Sequence, residues 1–143
     1  MRVDALMTRD AECIRPDAAL QEAADRMNTL DVGSLPVCDD DRLVGVLTDR
    51  DIVLRSVSRG HDPRIDRVRD AMTRDIVFCF EDDDIIEVAD LMRQKKVRRL
   101  PVLNRQKRLI GIISLGDLAV ESGVAPLAEH ALKGISEPSA PIR

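Results

Sequence analysis

A hydroxyl and a carboxylate recur three residues apart at two places in the sequence. Thr48 and Asp51 stand in Gly45-Val46-Leu47-Thr48-Asp49-Arg50-Asp51, and Ser114 and Asp117 in Gly111-Ile112-Ile113-Ser114-Leu115-Gly116-Asp117. In each case a short apolar run ends at the hydroxyl, where a strand passes into a helix. Two kinds of chemistry suit this pattern. Ser or Thr followed three residues later by an acid resembles a capping box, in which side chains satisfy backbone N–H groups at the helix start. A hydroxyl beside free N–H groups is also a place where phosphate binds. A carboxylate one turn further in can accept hydrogen bonds from the 2′- and 3′-hydroxyls of a ribose. The two roles are compatible, and the spacing by itself does not choose between them.

The elements that must position these groups are legible because the chain is duplicated. Met7-Thr8-Arg9-Asp10 returns as Met72-Thr73-Arg74-Asp75, and at the same offset Leu20, Ala24 and Met27 meet Ile85, Ala89 and Met92. Val32, Leu35, Pro36 and Val37 then meet Val97, Leu100, Pro101 and Val102. One inserted residue near Lys107 brings Leu43 to Thr48 onto Leu109 to Ser114, and Asp51 onto Asp117. So many ordered matches identify an internal repeat.

Each copy predicts the unit β-α-β-β-α, so the fold class is mixed α/β (α+β), built from two tandem repeats packed as one pseudo-two-fold module. An extended segment (Glu12 to Arg15; Ile76 to Phe80) precedes Pro16-Asp17 or a run of acids, both helix-start signals. Leu20, Ala23, Ala24, Met27 and Leu30 follow helical spacing, as do Ile85, Val88, Ala89 and Met92. Two apolar runs separated by Asp39-Asp40-Asp41-Arg42, or by Asn104-Arg105-Gln106-Lys107, predict a hairpin. The expected organisation is a first repeat over 1–59, a linker over 60–67, a second repeat over 68–122, and a C-terminal segment over 123–143. Within that last segment 126–132 is expected to be helical, and the tail from Gly134 unstructured.

The 143 residues suffice for one compact domain or two very small ones, and 44% apolar with 34% charged residues is an ordinary globular balance. No run approaches the ~20 apolar residues of a membrane span, and the N-terminus does not read as a secretory signal, so a cytoplasmic location is expected. The net charge of −4, the absence of Trp and Tyr, and only two Phe argue against nucleic-acid binding. Three cysteines without short metal-knuckle spacing read as reduced buried thiols.

The repeated β-α-β-β-α unit, the Leu-Pro-Val segment and the Gly-apolar-apolar-Ser/Thr-x-x-Asp ending together resemble the CBS-domain family. The resemblance covers about 3–57 and 68–122. It implies a tandem CBS pair (a Bateman module) that binds an adenine nucleotide or adenosyl ligand: AMP, ADP, ATP, NAD or S-adenosylmethionine. Carried onto this sequence, Asp51 and Asp117 hold the riboses, with Thr48 and Ser114 near ribose or phosphate. Gly33-Ser34-Leu35-Pro36 and Arg98-Arg99-Leu100-Pro101 line the base. Cys13-Ile14-Arg15 and Val77-Phe78-Cys79 form the other wall, with Ile14 and Val77 as contacts. The resemblance also implies a disk-shaped homodimer and regulation of an effector protein, while charge and composition lead us to expect no nucleic-acid or membrane partner. The copies differ where Arg98-Arg99 replaces Gly33-Ser34 and where Gly116 replaces Arg50. Arginine suits bidentate phosphate contact, although a solvated turn pairing with nearby acids also accounts for Arg98 and Arg99.

Two other functions compete. Cys13, Cys38 and Cys79 with His61 or His130 are the chemistry of a metal-binding or redox-responsive protein, in particular Cys13, Cys38 and a His. Catalysis has less support, because no nucleophile–base arrangement is recognisable and His61 falls in the linker.

Overall fold

The computed structural model describes residues 1–9 and 11–120, together with Leu132 and Ile135. The helix expected over 126–132 and the tail from Gly134 lie outside the described residues, apart from those two positions. The architecture is mixed α+β with two repeats of interleaved strands and helices.

Local sequence explains the element boundaries. Helix α1 (Leu20–Leu30) buries Leu20, Ala23 and Met27 and ends on Asp31, which takes a left-handed φ of 56°. Ala24 and Leu30 lie on its exposed side. Its counterpart α4 (Ile85–Lys95) buries Ile85, Val88, Ala89 and Met92. It starts at Asp84, whose side chain accepts from the Ile86 N–H, and ends on left-handed Lys96. Each helix is followed by an antiparallel hairpin: β2 (Ser34–Asp39) with β3 (Arg42–Thr48), and β5 (Arg99–Leu103) with β6 (Leu109–Ser114). Short helices α2 (Asp49–Arg55) and α5 (Leu115–Val120) complete the repeats.

The chain condenses into two compact units, and these do not follow the repeats in sequence order. One unit joins 1–9 to 77–106 and to 110–120; the other joins 12–76 to 107–109. Residues at the head of each repeat therefore pack with the body of the other repeat. In the first unit a 3₁₀ turn, Val3–Ala5, leads into strand β1 (Thr8–Arg9), which pairs antiparallel with β6 as Thr8 with Ile112 and Arg9 with Gly111. Its four-stranded sheet runs β1-β6-β5-β4, where β4 (Cys79–Phe80) lies parallel to β5. In the second unit the same layout is reduced to the β2-β3 hairpin and two single bridges, Ile14 with Val37 and Val46 with Thr73. A short helix, α3 (Val68–Ala71), precedes Thr73 there as Val3–Ala5 precedes Thr8.

Each unit has its own core. Val3, Leu6 and Met7 are buried with Ile85, Met92, Leu100 and Ile113. Val68, Ala71 and Met72 are buried with Ile14, Leu20, Leu35 and Leu47. The close approach of the leading segments requires glycine on the facing strand. A Cβ on Gly45 would lie 2.8 Å from Met72 Sδ, and one on Gly111 would lie 2.7 Å from the Thr8 carbonyl oxygen.

Candidate functional sites in the two repeats

Both Ser/Thr-x-x-Asp motifs fold as reciprocal capping boxes. In the first, the Thr48 N–H donates to Asp51 Oδ2 at 3.0 Å and the Asp51 N–H donates to Thr48 Oγ1 at 3.0 Å. In the second, the Ser114 N–H donates to Asp117 Oδ2 at 2.8 Å and the Asp117 N–H donates to Ser114 Oγ at 3.1 Å. Each hydroxyl closes its strand while the carboxylate folds back from the first helical turn, so both groups stand at one strand-to-helix corner. The arrangement uses one carboxylate oxygen for the cap and leaves the other as an acceptor.

The surroundings of the two carboxylates differ. Asp51 is almost covered, its side chain 12% exposed, and Arg55 Nη1 lies 4.0 Å from its Oδ1. That guanidinium is held in place by donating to the Ala71 and Met72 carbonyls at 2.9 and 3.0 Å. The Thr73 hydroxyl donates to the same carboxylate at 3.4 Å. Asp117 is only half-buried, and among the described residues its Oδ1 has no partner.

The other residues expected at the sites fall into two groups. Leu35 and Ile14 are each 2% exposed and Leu100 is fully covered; Pro36 and Pro101 are buried as well. Val77 is half-buried against the first unit's core. The buried side chains therefore build the cores, and any contact they offer a base comes through backbone groups. Gly33, Ser34, Arg98 and Arg99 are accessible. The Gly33 carbonyl accepts from the Asp49 N–H at 2.9 Å, and the Arg98 carbonyl accepts from the Leu115 N–H at 2.8 Å. These matching bonds tie each accessible pair to the start of the helix that carries Asp51 or Asp117. A Cβ on Gly33 would meet Asp49 Oδ2 at 3.3 Å, so a carboxylate stands against this corner in the first repeat. The corresponding residue in the second repeat is Leu115. Among the described residues neither Arg98 nor Arg99 has an ion-pair partner.

Thr73 and Arg55 were not among the residues expected at a site. The available signal was the repetition of Met-Thr at 7–8 and 72–73, which marks the threonine as part of a recurring device without saying where it goes.

The thiols are placed as follows. Cys38 and Cys79 are buried and Cys13 is half-buried, all three free. Burial, and then the neighbouring Cys13 thiol hydrogen-bonded to it, pushes the Cys38 thiol well above its ordinary range. Burial and Asp83 push Cys79 up to about 12. Among the described residues no three His, Cys, Asp or Glu side chains converge as a metal-ligand set. His61 bonds Asp66 Oδ2 at 3.0 Å, in company with the Ser56 hydroxyl, and His130 lies outside the described residues. Among the described residues no helix is long and apolar enough to cross a membrane.

Comparison with known proteins agrees with this reading of the repeats. Hypoxic response protein 1 of Mycobacterium tuberculosis is 36% identical over 140 residues, spanning 94% of this chain and 94% of the relative. A crystal structure of Hypoxic Response Protein I with two coordinated zinc ions superposes with a TM-score of 0.76 at 35% identity, over 83% of this chain and 97% of that one. A crystal structure of CBSX2 in complex with AMP gives a TM-score of 0.75 at 26% identity, over 87% of this chain and 97% of that one. The model of the CBS domain family matches residues 3–58 and again 68–122, and the chain accordingly belongs to the CBS-domain family, carrying two copies of the domain in tandem.

Proposed function

We propose that this chain is a regulatory module that binds an adenine nucleotide at a Ser/Thr-x-x-Asp corner and passes the occupancy to a partner protein. The observation that carries the reading is Asp117, held by the Ser114 capping box with its Oδ1 unpartnered among the described residues, at a helix start that the Arg98 carbonyl bonds through the Leu115 N–H. A carboxylate oxygen of this kind accepts from a ribose diol, and arginine takes a phosphate. The AMP bound by the structurally similar CBSX2 supports the same ligand class. Asp51 with Thr48 forms the corresponding capping box of the first repeat. Regulation follows from population shift: a ligand that prefers one arrangement of the chain draws the population towards it, and a homodimer or effector reads the change. The groups gathered at these corners bind and orient a ligand, and none forms a nucleophile–base pair.

The direct test is thermal unfolding in the presence of AMP, ADP, ATP, NAD and S-adenosylmethionine. Ligand at 100 times its Kd stabilises by about 2.7 kcal/mol, a shift easily read for a chain of this size. A flat midpoint across all five at millimolar concentration refutes the proposal.

A second reading draws on the two thiols Cys13 and Cys38, brought near each other by the parallel bridge of Ile14 with Val37. Two neighbouring thiols of one chain supply half of a tetrahedral zinc set, and the remaining ligands would come from outside the described residues. Metal analysis of protein purified without chelator, repeated on Cys13→Ser, separates this reading from the first.

A further inference from the structure

The two corners share a motif, yet their carboxylates are not in the same state. Asp51 is covered and its oxygens are flanked: Oδ2 accepts the Thr48 N–H at 3.0 Å, the Thr73 hydroxyl lies 3.4 Å from both, and Arg55 lies 4.0 Å from Oδ1. Arg55 is pinned to two backbone carbonyls, so it is a fixed countercharge. A ribose diol approaching Asp51 has to displace Thr73 or that guanidinium. In the second repeat Thr8 occupies the position of Thr73, and among the described residues it makes no hydrogen bond to Asp117. The position matching Arg55 is Glu121 in the sequence, which reverses the charge.

The accessible charges differ in the same sense. The first corner carries Asp49 and Arg50, which cancel, and the Asp49 carboxylate stands against Gly33. The second carries Arg98 and Arg99 with uncharged Leu115 and Gly116 at the matching helix positions. At the first corner the Asp49 carboxylate offsets Arg50, whereas the second carries two guanidiniums without ion-pair partners among the described residues.

Resting on the nucleotide-binding reading above, we infer that the repeats have divided their labour. The Ser114–Asp117 corner takes one phosphorylated adenine nucleotide, with its phosphate on Arg98 and Arg99. The Thr48–Asp51 corner is a structural latch, in which Asp51, Arg55 and Thr73 fasten helix α2 to the segment that follows α3.

Calorimetric titration of the whole chain with AMP and with adenosine tests the division. The expected stoichiometry is one nucleotide per chain, and two overturns the inference while leaving nucleotide binding intact. Asp117→Asn should weaken AMP about tenfold or more, and Arg98→Ala with Arg99→Ala should weaken AMP by a similar factor while changing adenosine less than about threefold. Asp51→Asn should lower the unfolding midpoint and leave AMP affinity within about twofold. Because Asp51→Asn can lose too much stability to be measured, Thr73→Val supplies a milder disruption of the same latch with the same expectation. Loss of AMP affinity in either latch variant overturns the inference, as does equal weakening of adenosine and AMP in the double arginine variant. If the wild-type chain binds neither ligand, the nucleotide reading falls and this inference with it.

Discussion

Substituting Gly111 by alanine tests how the leading segment of one repeat is held on the body of the other. The added Cβ would lie 2.7 Å from the Thr8 carbonyl oxygen, 2.9 Å from Met7 Sδ and 3.3 Å from Met7 Cγ. A methionine sulfur can swing aside, but the Thr8 carbonyl is part of the β1-β6 pairing, in which Thr8 faces Ile112 and Arg9 faces Gly111. Relief of the clash therefore moves β1 away from β6. Overpacking of this kind costs about 1–3 kcal/mol, and each weakened ladder bond adds about 1 kcal/mol. We expect a loss of about 2–3 kcal/mol, which at about 2–4 °C per kcal/mol lowers Tm by roughly 4–12 °C. Two internal controls sharpen the test. Gly45→Ala meets Met72 Sδ at 2.8 Å but its nearest carbonyl oxygen, that of Thr73, only at 3.0 Å, so it should lose less. Gly116→Ala, in helix α5, meets nothing closer than Ser114 Oγ at 3.6 Å. It should be neutral or stabilising by about 0.5–1 kcal/mol, the usual gain of alanine over glycine in a helix. Urea unfolding gives all three on one scale, and an unchanged m-value shows that the change lies in stability. If Gly111→Ala and Gly116→Ala agree within about 0.5 kcal/mol, the close packing of β1 on β6 is not what holds this segment.

Two further outcomes follow from charge and burial. A thiol reagent at pH 8 should modify Cys13 first, with Cys38 and Cys79 reacting only on unfolding, because burial holds both as neutral thiols. The Cys79 value is raised from 9.0 to about 12, so its contribution is fully present below pH 9 and lost as pH rises towards 12; Cys79→Ala should flatten that alkaline loss. Asp82 takes a bidentate pair of bonds from Arg105 at 2.7 and 3.1 Å, which lowers its pKa below the ordinary 3.8. Its contribution is present above that ordinary value and disappears as pH falls through the lowered one, so the stability gap between wild type and Asp82→Asn should close on acidification. Arg105→Ala should retain a residual loss at low pH, since its guanidinium also lies 4.2 Å over the Phe80 ring; complete closure of that gap would count against the ring contact.

What the sequence by itself determined was everything set by short-range rules. Helical spacing and its stop signals placed α1 at Leu20–Leu30 and α4 at Ile85–Lys95, and the acidic and polar tetrads placed the hairpin turns. The hydroxyl–carboxylate spacing located both capping boxes, since a cap closes within three residues and needs no distant partner. The tertiary structure decided what covers Asp51, because Thr73 reaches it from 22 positions away. It also decided where Met7-Thr8 and Met72-Thr73 go. A two-residue strand or single bridge carries too little periodicity to name its partner. That partner is chosen instead by long-range fit: a buried Val and Met entering the other repeat's core, and a glycine on the facing strand that lets the backbone approach. The nearness of Cys13 to Cys38 has the same origin, in the parallel bridge of Ile14 with Val37. The two capping boxes and the charges beside them were written locally; the contacts of Thr73 and of the Arg55 guanidinium at Asp51 were made by the fold.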